Sequence, residues 1–228
     1  MPDVLWGQRV GLRRLRPADA KPLLKMVSRP EVARLLFEEV GNLPTPLWLS
    51  ILIWSQQLQN RPDFAIVDQT GALIGCVRLW RVSRINRNAM LTIFLGERSR
   101  WGRGLGTEAL RLCLRFGFDE LSLERIELHV FGFNKRAIRS YEKVGFRTEG
   151  LRRGALYRDG EFHDILVMGI RRFEFHLTEA ARSGKETASF GENRQEETWS
   201  ASEGGDSHDG DERSDCILQE PAGGAEPR

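Results

Sequence analysis

Long hydrophobic runs and a bias toward charge of one sign are both missing from this 228-residue sequence. The densest apolar stretch, 47–54, is interrupted by Ser50 and is far shorter than the roughly 18 apolar residues that a membrane span requires. The first residues also lack the basic, apolar and small-residue order of a signal peptide. We therefore expect a cytoplasmic protein that has no membrane partner.

Cysteine is equally scarce. Cys76, Cys113 and Cys216 are scattered and form no C-x-x-C pair. This pattern excludes a disulfide framework and a cysteine zinc site, because both need closely spaced or evenly paired cysteines. We expect reduced thiols and no bound metal.

The small net charge of +2 conceals an uneven distribution. From residue 177 onward there are 5 basic and 13 acidic residues, a net charge of −8, so residues 1–176 carry +10. The acidic segment is rich in Gly and Ser and shows no apolar periodicity, so it cannot bury enough surface to offset its ordering entropy. The sequence predicts one folded domain over 1–176 and a disordered acidic tail over 177–228. The basic body raises the question of a nucleic-acid partner, but no aromatic-basic stacking motif supports one.

Apolar periodicity within the body predicts an α/β fold built on a mixed sheet. Strands are predicted at 9–16, 64–67, 72–82, 89–95, 125–131, from 146, and at 162–170, and helices at about 18–27, 31–40, 46–58, 104–118 and 134–144. The helix around 47–54 is apolar on most of its circumference. It is either extra core, the wall of an acceptor pocket, or a homodimer interface.

A glycine-rich loop, Glu97 to Thr107, lies directly between a predicted strand and a predicted helix. Glycines let backbone N–H groups approach an anion, and a helix N-terminus adds a favourable dipole. Together with Arg98, Arg100 and Arg103, this pattern favours a phosphate or pyrophosphate ligand, the alternative being a plain strand-to-helix turn. A P-loop is excluded because Gly106 is followed by Thr107 and Glu108, and the spacing of a dinucleotide-binding loop is not met.

A second segment adds specificity. Asn134 and Tyr141 are seven residues apart, which places them on the same face of one predicted helix. Asn134 is equally expected as the N-cap of that helix, and Tyr141 as a core residue. Gly145 then ends the helix, with Phe146 following.

Together these segments resemble the GCN5-related N-acetyltransferase (GNAT) superfamily. The resemblance rests on the strand 92–95, the loop 103–107, and the segment from Asn134 to Phe146. The hairpin 156–164 is similar to the branch that contains ribosomal-protein-alanine and spermidine acetyltransferases. The resemblance to this superfamily implies a mostly antiparallel central sheet flanked by helices, and acetyl-CoA as co-substrate. It also implies an amine acceptor, which is a protein N-terminus, an amino sugar or a polyamine.

The resemblance also implies roles for individual residues. Phe94, Leu95 and Gly96 would line the pantetheine and the thioester. Asn134 would contact the cofactor, and Tyr141 would protonate the departing thiolate as general acid. The pyrophosphate would be held by Gly102, Arg103, Gly104, Leu105, Gly106 and Thr107.

Two positions depart from the family pattern. Trp101 stands where a polar residue usually begins the loop, and Met90 stands near the usual glutamate base. The base must then come from elsewhere, with Glu97 or Glu38 as candidates, followed by Glu39 and Asp164; each is otherwise a solvated surface charge.

These departures leave a second functional class open, a catalytically weak acyl-CoA-binding module that acts as a sensor or scaffold. If the chain is an enzyme, the net charge of +10 on residues 1–176 disfavours a polycationic acceptor such as spermidine.

Overall fold

A computed structural model describes residues 4–36 and 62–182. Its eight strands form a single sheet in the order β1-β2-β3-β4-β5-β6-β8-β7. The strands are β1 (Val4–Trp6), β2 (Val10–Arg14), β3 (Asp63–Asp68), β4 (Leu73–Ser83), β5 (Asn88–Leu95), β6 (Arg125–Phe131), β7 (Arg147–Arg158) and β8 (Glu161–Arg171).

Helices cover both faces of this sheet. They are α1 (Ala20–Val27), α2 (Pro30–Leu36), α3 (Leu105–Arg115), α4 (Lys135–Glu142) and α5 (Arg172–Arg182). The last turns of α3 widen into a π-helical segment, Phe116–Glu120. No helix in the described part of the chain is long and apolar enough to cross a membrane.

Strand β5 and strand β6 form the parallel pair in an otherwise antiparallel sheet. They pair only from Asn88 opposite Arg125 to Met90 opposite Glu127. Beyond Met90, β5 stays paired with β4 as far as Leu95, whereas β6 pairs with β8 as far as Phe131. The sheet therefore opens into a wedge between its two central strands.

Two apolar layers hold the sheet in place. On one face, α3, α4 and α5 bury the main core, in which the rings of Phe64 and Phe116 meet edge to face at 5.0 Å. On the other face, Leu15, Leu23 and Cys76 pack around α1. Each aliphatic side chain buried in this way stabilises the fold by about 1.5–3 kcal/mol.

Most predicted elements are present with shifted ends, and the predicted α/β class with a mostly antiparallel sheet is confirmed. Strand β1 was missed, since its three residues are too few to show a period. The end of the second predicted helix, at 37–40, and the apolar helix at 47–54 lie outside the described residues.

The predicted domain boundary at residue 176 falls inside a helix. Helix α5 was missed and runs to Arg182, so residues 177–182 of the predicted tail are helical. Phe175 is buried in the core, and Glu179 forms ion pairs with Arg111 and Arg115 of α3. A polar segment is thus held in place by partners that are distant in sequence. The remainder of the predicted tail lies outside the described residues.

Candidate active site

The wedge between β5 and β6 is a cleft of about 320 Å³ that passes through the sheet. One wall belongs to the α3–α4 face of the sheet and includes Trp101, Gly106, Asn134, Arg136 and Tyr141. The opposite wall belongs to the α2 face and includes Val32, Leu35, Leu36, Trp80 and Phe131. Two reactants that entered from opposite faces of the sheet would therefore meet between the strands.

The glycine-rich loop lies at the start of α3, next to this cleft. Gly102 and Gly104 have φ angles of +74° and +79°, which side chains with a Cβ rarely adopt, and Gly104 is the N-cap of the helix. A Cβ added at Gly104 would lie 2.9 Å from Nη2 of Arg9. The loop thus presents its backbone and the helix N-terminus in a form that suits an anion.

Arginine side chains surround the loop. Arg9 donates from Nη1 to the Arg103 carbonyl oxygen at 2.7 Å and is held in place by Glu108, at 3.2 Å from its Nε. Arg100 is already paired, with Glu97 and Asp68. Arg98 and Arg103 make no ion pair with any described residue, so their charge is available to a ligand phosphate.

Trp101 links the glycine-rich loop to the end of β5 and to helix α4. Its indole Nε1 donates to the Leu95 carbonyl oxygen at 3.0 Å, and the guanidinium of Arg136 lies 3.9 Å above its ring. Burial, together with the nearby charge of Arg98, lowers the pKa of Arg136, although a guanidinium still stays charged. Trp101, the departure from the family pattern, thus contacts an arginine of α4 that also lines the cleft.

The predicted pair on α4 points into the cleft. Asn134 is the N-cap, and its Oδ1 accepts the Ala137 N–H at 3.3 Å, so the capping alternative is correct, and the same residue also lines the cleft. Tyr141 lines the cleft with a ring that packs edge to face on Phe146. Burial raises the pKa of Tyr141 to about 12, so its phenol is protonated throughout the physiological range.

The three residues predicted to line the thioester are not equivalent. Phe94 and Leu95 both line the cleft. Gly96 lies behind it, where a Cβ would come 2.2 Å from Cγ of Met26, and its carbonyl oxygen accepts from Nη1 of Arg29 at 2.6 Å. Gly96 is therefore a packing point for α1.

The two candidate bases that the structure describes, Glu97 and Asp164, do not line the cleft. Glu97 does not line the cleft and instead pairs with Arg100 at 3.1 Å and Arg29 at 3.6 Å. Asp164 accepts from the Gly154 N–H at 2.8 Å within the β7–β8 hairpin. Glu38 and Glu39 lie outside the described residues.

Several cleft residues were missed by sequence reasoning, above all Trp80, His129 and Arg136. Trp80 donates from Nε1 to Oγ1 of Thr92 at 3.1 Å across β4 and β5. His129 alternates with Glu127 and Phe131 on β6, and that alternation, set against the apolar Ile126, Leu128 and Val130, was the available signal.

Neither of the two described thiols lines the cleft. Cys76 and Cys113 are buried and free. Burial raises the pKa of Cys76 to about 12 and raises that of Cys113 further. Neither is a nucleophile, since attack requires the thiolate. Among the described residues, no group of His, Cys, Asp or Glu side chains is placed to hold a metal ion.

Comparisons with known proteins agree with this geometry. The family model described as acetyltransferase (GNAT) domain matches residues 9–147. Spermidine N(1)-acetyltransferase of Escherichia coli (strain K12) is 26% identical over 168 residues, which are 73% of this chain and 88% of that protein. The L-amino acid N-acetyltransferase of the same organism is 28% identical over 162 residues, 69% of this chain and 94% of that protein.

The fold agrees as well. The crystal structure of spermidine N-acetyltransferase from Vibrio cholerae in complex with CoA and spermine matches with a TM-score of 0.67 at 24% identity, covering 73% of this chain and 98% of that one. The resemblance drawn from the loop and from the Asn134–Phe146 segment is thereby confirmed. The chain belongs to the GNAT family and is an acetyl-CoA-dependent N-acetyltransferase.

Proposed function

We propose that this enzyme moves the acetyl group of acetyl-CoA to a primary amine by direct attack of the amine nitrogen on the thioester carbonyl. The observation that carries the proposal is the cleft through the sheet, which joins the phosphate-side wall to the α2 wall. The acceptor that this geometry favours is the α-amino group of a peptide or an amino acid.

The phosphate side supports the position of the co-substrate. Gly102 to Thr107 present a helix N-terminus flanked by the charges of Arg98 and Arg103, which suits the pyrophosphate. Phe94 and Leu95, on the edge of β5 that faces the wedge, would line the pantetheine and the thioester. The amide of Asn134 would hydrogen-bond the same chain of atoms.

Tyr141 supplies the acid. Its raised pKa keeps the phenol protonated before the reaction. Tyr141 then donates this proton to the CoA sulfur as the C–S bond breaks. Of the protons on an ammonium acceptor, one then stays on the amide nitrogen, one ends on the CoA sulfur by way of Tyr141, and one leaves to solvent. This route needs no covalent enzyme intermediate, which agrees with the buried state of Cys113.

The α2 wall supports an acceptor that carries an apolar group next to its amine. Val32, Leu35, Leu36, Trp80 and Phe131 form this wall, and no carboxylate is found among the described residues lining the cleft. A polyamine would bring a second ammonium group into this apolar space, where an unpaired charge is costly. The two relatives above are named for different amines, spermidine and L-amino acids, so their names do not select an acceptor for this chain. The proposed acceptor therefore rests on the residues of the α2 wall.

The test is CoA release measured with a panel of acceptors. Peptides with free N-termini, L-amino acids, spermidine and glucosamine would be compared by kcat/KM at one pH and ionic strength. We expect peptides or amino acids with apolar first side chains to exceed spermidine by at least about tenfold, equivalent to about 1.4 kcal/mol. Faster turnover of spermidine would overturn the acceptor assignment. Tight CoA binding without turnover of any amine would instead favour a binding module.

A further inference from the structure

We propose that His129 is the general base that removes the ammonium proton of the acceptor, an inference that rests on the proposed amine acetylation. His129 lies on β6, where that strand leaves β5, and its side chain lines the cleft with 34% of its surface exposed. The imidazole thus reaches both the reaction space and solvent, which a residue that passes protons outward requires.

The chemistry of the cleft wall supports this choice. Among the described residues that line the cleft, His129 is the one whose side chain is of the type that enzymes most often use as a general base. The others are apolar or carry an amide, an indole, a hydroxyl, or the guanidinium of Arg136, which does not deprotonate. Met90, on the adjoining strand, cannot take this role.

A carboxylate stands behind the imidazole. Oε1 of Glu127 lies 3.3 Å from Nε2 of His129, and Oε2 of Glu127 accepts from Nη2 of Arg125 at 2.7 Å. Arg125 in turn binds Glu149 of β7 through both of its terminal nitrogens. Glu127 is therefore fixed in place, and its negative charge lies beside the imidazolium that forms when His129 takes a proton. With Nε2 facing Glu127, Nδ1 is the nitrogen left to face the acceptor.

The other described residues around His129 are largely apolar. Helix α2 contributes only apolar side chains to the lining, and the residue opposite His129 on β8 is Val167. From the α3–α4 face, the titratable or charged groups that line the cleft are Arg136 and Tyr141. His129 and Tyr141 therefore divide the proton transfers, the first as base and the second as acid.

The step balances without a further reagent. Nδ1 of His129 takes one proton from the ammonium group, and the lone pair released on nitrogen forms the new C–N bond. The C–S electron pair leaves with sulfur, which takes the proton of Tyr141. The second proton lost from nitrogen restores the Tyr141 phenol, and His129 releases its proton to solvent.

The experiment compares pH profiles of kcat/KM with the best acceptor of the panel. His129→Gln keeps the size and polarity of the side chain but cannot carry the proton, so kcat/KM should fall by about 10²–10⁴-fold. Its acidic limb should also disappear, with the KM for acetyl-CoA unchanged. His129→Ala should recover part of the lost rate when free imidazole is added. His176→Gln is the matched control, because His176 is an exposed histidine on α5 outside the cleft, paired with Asp119.

The outcomes separate the two levels of the argument. A wild-type acidic limb in His129→Gln, or no gain from imidazole in His129→Ala, would overturn the base assignment while acetyl transfer stands. Failure of the unmodified enzyme to acetylate any amine would overturn the proposed function, and this inference with it.

Discussion

The guanidinium of Arg136 lies 3.9 Å above the ring of Trp101, whose indole nitrogen is itself bonded to the Leu95 carbonyl oxygen at 3.0 Å. One side chain thus connects the glycine-rich loop, the end of β5 and the first turn of α4. The stack orients a positive charge at the phosphate side of the cleft, in the place where the family pattern has a single polar residue.

Removing this stack should weaken binding of the co-substrate. Cation–π contacts are worth about 0.5–2 kcal/mol, so Trp101→Ala should raise the Kd for CoA roughly two- to thirtyfold. Trp101→Phe keeps an aromatic face for Arg136 and loses only the N–H donor, so its effect should be smaller. Isothermal titration with CoA measures both. Equal affinity in Trp101→Ala and the unmodified enzyme would show that the stack has no part in binding.

The loop itself is tested by Gly104→Asp. This substitution adds a side chain close to Arg9 and a negative charge where the pyrophosphate is proposed to bind. We expect CoA to lose its thermal stabilisation of the variant, while the variant without ligand still melts cooperatively. Gly160→Asp is the control, since Gly160 has a similar φ of +85° on the β7–β8 turn, away from the cleft. Undiminished stabilisation by CoA in Gly104→Asp would rule out this loop as the phosphate site.

Tyr141→Phe isolates the acid. The ring remains packed on Phe146, so CoA affinity should be nearly unchanged, while kcat should fall by about 10²-fold or more. Because burial raises the pKa of Tyr141 to about 12, the unmodified enzyme should show no alkaline loss of kcat from this residue in the physiological pH range. The other tyrosine, Tyr157, is exposed on the hairpin, and Tyr157→Phe is the control. A kcat for Tyr141→Phe equal to that of the unmodified enzyme would show that the thiolate leaves without it.

Local chemistry explains which parts of the site were predictable. The glycine-rich loop and the Asn134–Tyr141 spacing are each patterns within one short segment of the sequence. Gly106 of the loop, Asn134 and Tyr141 all line the cleft. His129 and Arg136 were not selected, because their role depends on where β5 and β6 separate. That point is set by the pairing of Met90 with Glu127, residues far apart in the sequence.

The same reason explains the errors in the fold. Helix α5 is amphipathic, but its mean hydropathy is low, and the predicted acidic tail begins in the middle of it. It is held by Phe175, which packs against Phe118, and by ion pairs to α3. Such partners belong to the tertiary structure, so composition alone assigned part of this helix to the tail.

A buried ion pair at the start of α1 predicts acid sensitivity. Both oxygens of Asp19 accept from Arg13 at 2.7 Å, and Oδ2 also accepts the Arg16 N–H at 2.8 Å. Burial alone would raise the pKa of Asp19, but the hydrogen bonds from Arg13 and Arg16 outweigh it and the net pKa is lowered. Because the carboxyl pKa is lower in the folded state, ionised Asp19 stabilises the fold above about pH 4. This stabilisation is lost as the pH falls through the folded-state pKa.

Asp19→Asn should therefore reduce the free energy of unfolding at pH 7 by about 1–3 kcal/mol. The difference from the unmodified protein should shrink below about pH 4. Urea unfolding at a series of pH values measures this. Asp119→Asn is the control, because Asp119 lies on the surface beside His176. A difference that stays constant down to pH 3 would show that Asp19 acts through packing and not through its charge.

The end of the folded unit is tested by two truncations. A chain that ends at residue 182 keeps all of α5, including the contacts of Glu179 with Arg111 at 2.8 Å and Arg115 at 3.2 Å. A chain that ends at 176 keeps Phe175 but loses Glu179, which leaves Arg111 without that partner in a half-buried position. Hydrogen bonds to charged groups contribute about 1.5–3 kcal/mol, so the shorter chain should melt several degrees below the longer one. Glu179→Gln in the full chain should reproduce part of that loss by calorimetry. Equal melting temperatures for the two truncated chains would place the boundary at residue 176, where composition had placed it.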